Sequence, residues 1–551
     1  MKINGKKLIT TGVAVLLSAT LCSIPCLAQD ADDDSDGFGS NFDSLFEDTD
    51  SGSNALQING EGKLSVKATL NDDTLDAIGD TDDDSDTVEA TPSLKLNLSY
   101  KGASSELDGT IRLDSDRLTD HPEDVLEELT YRAFMGDFVL EAGKMKVVWG
   151  RGDKLHVLDL FNANDYSEFI IPDYINRRLA EPMARLAWNI PNGMRVEAVW
   201  TPFMTPDRIP TEGVWAPASA KALVTAGTSY VSYLASSAYG EAYASTYETA
   251  YTQAYTTAYK AAETAALTAG YDATAAATMA DVKAKEAIAE PTVAAQISGA
   301  ASGAALLAAE AVSSQYSSAN DLLPDTHTLD YGQYGLRLTG TFSGVDLGAE
   351  YYLGHYKTPS AQVTYGTNAL GDSAVTGLDL AYDQLQVFGV DAATTLSILN
   401  LRGEAAYYLT KDVDGDDSAV HNNSIQWVAG FDVNLPISNL NLNIQNIGSY
   451  ILNNDDIEKT DVDWNDSEKW TNNKIVFDLS DSWNHEKIKP DIAVMWGIER
   501  QDLLIMPKLT CTLRDDFTVA VSGGIFICDD DGEFAAYKDN DFVKLTATYS
   551  F

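Results

Sequence analysis

FVKLTATYSF, residues 542–551, is the stretch whose reading decides the fold. Successive side chains of an extended strand point to opposite faces, so Val543, Leu545, Ala547, Tyr549 and Phe551 share one apolar side. Lys544, Thr546, Thr548 and Ser550 share the other, polar side. The strand has one face for hydrocarbon and one for water.

The same alternation recurs upstream. Leu94, Leu96, Leu98 and Tyr100 alternate with Lys95, Asn97 and Ser99; Ile425, Trp427, Ala429, Phe431 and Val433 form a second apolar face, and Ile492, Val494, Trp496 and Ile498 a third. About 18 such segments are legible, with 16 left open by the segment 358–383. With both ends of the barrel on one side, every long or acidic connection (71–91, 114–124, 150–181, 202–330, 358–383, 411–423, 452–472, 529–540) falls in an odd-numbered gap. The other gaps are brief, as bacterial membrane barrels require. The expected fold is therefore an all-β, antiparallel transmembrane barrel of about 18 strands, closed so that no backbone edge faces lipid.

The start of the chain agrees with export. Three lysines within Met1–Lys7, an apolar run from Leu8 to Leu21 and the small-residue site ending at Ala28 read as a signal peptide, 1–28. An acidic flexible segment, 29–54, follows. Barrel strands 1–7 are expected over 55–201, a helical extracellular insert over 202–330 and strands 8–18 over 331–551. Beyond residue 28 no run of roughly 20 apolar residues is read as a spanning helix.

The formal net charge of −46 excludes nucleic acid as a partner, which demands clustered Lys and Arg. Only Cys511 and Cys528 follow the signal, and a hairpin turned at 514–516 separates them beyond disulfide reach. The six histidines stand singly, and no H-E-x-x-H, C-x-x-C or G-x-S-x-G motif occurs. No catalytic residue, metal site or cofactor is indicated. The run from Asp412 to Asp417 lacks the twelve-residue spacing of an EF-hand loop.

With the apolar face outward, Arg112, Arg132, Arg185, Arg195, Arg337 and Arg402 fall in phase with the lumen, with Glu128, Glu197, Glu350 and Glu404. Arg195 with Glu197 and Arg402 with Glu404 are the expected pairs. The segment FVLEAGKMKVVWG breaks phase, and a bulge near Gly143 is expected to turn Lys144 and Lys146 toward water. The connection that follows, 150–181, is too apolar to dangle in water and is expected to fold into the barrel. Trp149, Arg151, Asp153, Asp159, Asn162, Asp165, Arg177 and Arg178 are its candidate constriction residues. Arg151-Gly152-Asp153 also spells an integrin-binding tripeptide, but within an infolded loop.

GKMKVVWGRGD followed by DLFNAND resembles a family of large Gram-negative-type outer-membrane barrels with a G-[KR]-x-x-V-x-W-G strand and a D-x-x-N-x-x-D loop. Ala163 departs from it where proline is expected. The resemblance is porin-like and implies a channel or transport role for small polar or charged solutes, in contact with outer-membrane lipid. The terminal aromatic Phe551 resembles the assembly signal of such proteins and implies insertion by the barrel-assembly machinery. A homo-oligomer stays open.

Residues 212–323 are rich in Ala, Thr, Ser and Tyr, with Tyr239, Tyr243, Tyr247, Tyr251, Tyr255 and Tyr259 at four-residue steps. Such a stripe drifts by roughly 40° per step around a helix. Breaks at Gly270 and Glu290-Pro291 predict two or three helices. The alternative reading is a surface adhesin or structural protein whose barrel anchors this insert.

Overall fold

The computed structural model describes residues 56–70, 88–316, 319–368, 371–465, 467–530 and 532–551. The expected signal peptide, 1–28, and acidic segment, 29–54, lie outside them. Alternation of apolar and polar residues produces β1 (Leu56–Thr69), β2 (Val88–Lys101), β3 (Ser105–Asp114), β4 (Leu126–Met135), β5 (Phe138–Met145), β6 (Glu181–Ile190), β7 (Met194–Thr201), β8 (Gln333–Phe342) and β9 (Val345–His355). After a separate hairpin, β10 (Ser360–Thr367) and β11 (Ser373–Ala381), the series resumes. It runs through β12 (Gln384–Leu396), β13 (Leu399–Leu409), β14 (Ser424–Asn434), β15 (Asn441–Ile451), β16 (Thr471–Ser480), β17 (Ile488–Gly497), β18 (Leu503–Arg514), β19 (Phe517–Ile527) and β20 (Phe542–Ser550).

Eighteen of these strands form one antiparallel sheet, in chain order, that closes where β20 pairs with β1. The seam is continuous from Thr69 opposite Phe542 to Glu61 opposite Ser550. Beyond it, Gly60 and Phe551 exchange both backbone hydrogen bonds at 2.9 Å. A Cβ on Gly60 would stand 2.8 Å from the Phe551 ring, so glycine is what lets the aromatic lie over the first strand. Tyr549 stacks on Phe551 with centroids 6.3 Å apart.

The outward faces carry exposed Leu56, Leu129, Tyr131, Leu186, Leu336, Phe388, Ile425, Phe477, Ile492 and Ile525. Aromatic residues mark both ends of this belt: Phe138 stacks on Trp188 near the short turns, and Trp200 pairs with Tyr334 near the long loops. A closed ring with an apolar outside and no free edge is a transmembrane barrel of the outer-membrane type. Each long connection leaves from the rim opposite Phe551. The segment 358–383 adds the β10–β11 hairpin rather than two further staves, which removes the choice between 16 and 18.

Two expectations are corrected. The pairing of β4 with β5 runs unbroken from Met135–Phe138 to Leu129–Lys144, and the register shift sits instead between β3 and β4, at Thr110/Ile111. Lys144 and Lys146 are consequently not turned to open water: they reach Asp124 at 3.0 Å and Glu127 at 3.2 Å. β5 also ends at Met145, so the outer connection begins earlier than residue 150.

The insert is three helices, α1 (Ala218–Thr268), α2 (Ala273–Ala289) and α3 (Pro291–Gln315). Pro291 opens α3 where its missing N–H costs nothing. Contrary to the hydropathy reading, α3 is long and apolar enough to cross a membrane by length and composition. It packs along α1 instead, through small residues four apart: Ala301 and Ala305 on α3, and Ala276, Ala280 and Ala284 on α2, are fully buried. Tyr239, Tyr243, Tyr247 and Tyr251 stack successively at 6.0 to 6.3 Å. The Tyr255 hydroxyl donates to Asp281 at 2.6 Å and ties α1 to α2.

Candidate functional site

The connection between β5 and β6, residues 146–180, folds into the ring. Asn162 holds its base closed: its side-chain oxygen accepts from Val147 N–H at 2.8 Å, and its amide donates to Met145 O at 3.1 Å and Leu179 O at 2.8 Å. Because both ends of the loop are pinned by one buried side chain, the apolar residues between them are committed to the interior. Trp149, Val157, Leu158 and Phe161 pack with Met183, Val199, Tyr352, Val387, Ala406 and Val428 on the surrounding wall. Trp149 meets Phe161 edge to face at 5.0 Å, and a Cβ on Gly335 would come within 2.6 Å of both rings. A small residue on β8 therefore makes room for the aromatic pair.

Glu404, on β13, is the wall's main hold on the loop. Its carboxylate accepts from the backbone N–H of Arg151 at 2.7 Å, Gly152 at 2.6 Å and Val157 at 2.8 Å, and lies 2.9 Å from His156 Nδ1. Arg151 reaches Asp391 at 2.7 Å and Asp346 at 3.5 Å. Asp153 meets Asn443 and, through its backbone, Gln445. The Arg151-Gly152-Asp153 tripeptide is thus spent on the barrel wall. Lys154 extends past it to Asp478 on β16 at 3.6 Å, with its side chain 67 % exposed. In ring order β16 lies nine strands from β5, so the loop spans the lumen.

The second half of the loop turns to the opposite wall. Tyr174 and Arg178 hold Asp159, Arg178 at 2.7 Å, while Asp165 pairs with Arg208 at 2.9 Å. Arg177 makes no ion pair among the described residues but stands 6.0 Å from the rings of Tyr166 and Tyr174, and burial draws its pKa down. Phe169, Ile170 and Ile171 pack on Trp215, Leu504, Phe526, Phe534, Tyr537 and Phe542. Glu168 lies between Lys67 at 2.8 Å and Lys544 at 3.4 Å. Burial works against its charge, yet Lys544 and Lys67 keep its carboxyl below the ordinary value.

The expected lumen residues occur mainly as partners. Arg132 bridges Glu106 and Glu141, each at 2.7 Å, and Arg185 joins Glu141 at 2.6 Å. Arg195 pairs with Glu197 at 2.6 Å, and Glu197 also accepts from the Trp149 indole at 3.3 Å. Arg337 takes Asp391 at 2.7 Å and Glu350 at 3.3 Å. Arg112 meets Asp114 at 3.2 Å, and Glu128 meets Lys146 at 3.3 Å. The expected Arg402–Glu404 pair does not form: Arg402 turns to Asp432 at 2.6 Å, because Glu404 is occupied by the loop.

The outer connections are tied to each other. His421 Nδ1 lies 2.7 Å from Asp463, and although burial opposes its protonation, that hydrogen bond and charge raise its pKa. Asp412 accepts three backbone N–H groups, from Gly415, Asp416 and Asp417, so its carboxylate serves its own turn. Among the described residues no group of three or more His, Cys, Asp or Glu is placed to hold a metal ion.

Asp391, Glu168, Lys67 and Lys544 are site residues that residue type alone does not mark. Lys544 stands on the polar face of the terminal strand, and its neighbour across the seam, Lys67, is set only by closure of the ring.

Residues 133–551 match the family model described as "Protein of unknown function (DUF1302)". No curated protein matches the chain. Among solved structures, the outer membrane channel DcaP of Acinetobacter baumannii is similar over 90 % of this chain and 97 % of its own, at 9 % identity and a TM-score of 0.35. OccK5 (OpdH) of Pseudomonas aeruginosa is similar over 90 % and 98 %, at 8 % identity and 0.39. A mutant of the Rh. blastica porin is similar over 90 % and 100 %, at 9 % and 0.35.

Proposed function

This chain belongs to the DUF1302 family, and from that premise we propose that it is a non-enzymatic outer-membrane channel for small polar or charged solutes, narrowed by the infolded loop 146–180. One observation carries the reading: ionised side chains inside the ring remain in contact with water. Lys154 is 67 % exposed beside Asp478, and Asp346 is 42 % exposed beside Arg151. Charges confined in a low-dielectric ring set the field that a solute must cross. Arg151, Asp153 and Lys154 form the edge that the solute passes; Trp149, buried against the wall, and Asn162, Asp159, Asp165, Arg177 and Arg178 keep that edge in place. Export and the terminal aromatic support insertion by the barrel-assembly machinery, with the helical insert on the cell exterior.

Planar-bilayer recording of the purified protein tests the reading. Discrete conductance steps with measurable ion selectivity are expected, and silence at every voltage would overturn it. The adhesin reading draws on exposed Leu306 and Leu307 of α3, at 62 % and 69 %. Loss of surface binding with unchanged conductance when α1–α3 are excised would favour it.

A further inference from the structure

The strand pairings place charged residues in one row along the inner wall. Asp491 on β17 is opposite Lys508 on β18, Lys508 opposite Ser522 on β19, and Ser522 opposite Lys544 on β20. Lys544 is in turn opposite Lys67 on β1, and Lys67 opposite Glu89 on β2. Two like charges directly across a strand pair repel, so the seam of the barrel would be strained at Lys544 and Lys67 without an anion between them. Glu168 is the anion that reaches both: one carboxylate oxygen meets Lys67 at 2.8 Å and the other meets Lys544 at 3.4 Å, while Glu89 pairs with Lys67 alone, at 3.0 Å. Lys67 is itself nearly buried, 8 % exposed, with its ammonium 5.8 Å over the Trp215 ring. Glu168, at 33 %, keeps contact with water, and Lys508, two strands along the row, is exposed.

We infer that Lys67 and Lys544 form a carboxylate-binding station in the lumen, occupied by Glu168 in this structure, and that a carboxylate-bearing solute exchanges with Glu168 there. Two ammonium groups holding the two oxygens of one carboxylate give charge-assisted hydrogen bonds stronger than neutral ones. The solute replaces one carboxylate with another, so neither lysine is left uncompensated during exchange. Departure of Glu168 also removes the charged hold beside Phe169, whose ring stacks on Trp215 at 6.1 Å, so that occupancy and loop position are linked. Asp491 and Glu89 at the ends of the row confine the attraction to its middle. This inference rests on the channel reading for its use in passage, and on the row alone for binding.

The test uses full-length protein in planar bilayers, with chloride as the carrier and acetate as the probe. An intramolecular competitor acts at a high effective concentration, so Glu168→Gln should lower the acetate concentration that half-reduces the current by about tenfold or more. Adding Lys544→Gln or Lys67→Gln to that variant should abolish the effect, with heat-modifiable gel migration confirming that each barrel is folded. Equal acetate sensitivity of the native and Glu168→Gln channels would overturn the inference while leaving the channel intact. If no variant conducts, the channel reading falls, and broadening of the ¹³C-acetate resonance by detergent-solubilised Glu168→Gln, absent with Lys67→Gln added, still decides the station.

Discussion

Two long connections leave the same rim and meet opposite fates. The loop 146–180 turns inward, and its polar atoms meet individual partners on the wall: Glu404 for three backbone N–H groups, Asp391 for Arg151, Asn162 for the base. The insert extends as helices held by repeated alanine contacts, with a single hydroxyl tie from Tyr255 to Asp281. In the loop, specificity resides in directional, buried hydrogen bonds, each expensive to leave unmade. In the insert it resides in close approach of small side chains, which many sequences satisfy. The difference teaches that length and position do not assign a role to a loop; what its polar atoms require does.

The comparison is broken most severely at Glu404. Glu404→Ala leaves the N–H groups of Arg151, Gly152 and Val157 without their acceptor, and should destabilise the docked loop by about 3–5 kcal/mol. Larger, noisier conductance steps and protease cleavage within 150–158 are the expected readouts; a native current trace would refute it. Asn162→Ala should cost about 2 kcal/mol, since the backbone groups it bridges find no other partner. Faster hydrogen exchange at Val147, whose N–H loses its acceptor, would record the loss.

A smaller effect is expected in the outer loops, where pH supplies the lever. The folded pKa of His421 is raised, so its contribution is complete below the ordinary histidine value of about 6.5 and fades as pH rises through the raised value. Protection against hydrogen exchange, relative to the intrinsic rate at each pH, should fall in 410–423 and 452–465 over that alkaline limb, and that fall should be absent in His421→Ala. At the low end stands the insert. Excising residues 218–315 behind a flexible linker should leave barrel heat resistance and conductance nearly unchanged. The cut must spare Trp215, which is buried against Phe526 and Phe542 and belongs to the packing of the infolded loop on the wall. A collapse of barrel stability would show that the helices are not peripheral.

Much of the architecture was legible because a strand with one lipid face and one wet face has a strict period of two. The faces of Leu94–Tyr100 and of Val543–Phe551 follow from it, and so does the parity that sends the insert and Phe551 to opposite rims. The β10–β11 hairpin and the β3–β4 register shift were not legible: both depend on which backbone lies alongside, not on local alternation. The apolar content of 150–181 announced that the loop must be buried, and Asn162 and Arg178 were picked out by type. Their partners were not, because ion pairing inside a ring is decided by strands far apart in the chain. Arg402 illustrates this: its nearest in-phase acid along the strand is Glu404, but the loop claims that carboxylate and Arg402 takes Asp432 from the next strand.

By itself, the order of residues determined that this chain is a barrel with a greasy exterior, an inward-folding loop and a helical excursion, since hydropathy and period act over a few neighbours. Only closure of the ring decided that Lys544 would face Lys67 across the seam and that Glu168 would have to stand between them. Electrostatic neighbourhood is a property of distances in space, and those exist only once the first strand has met the last.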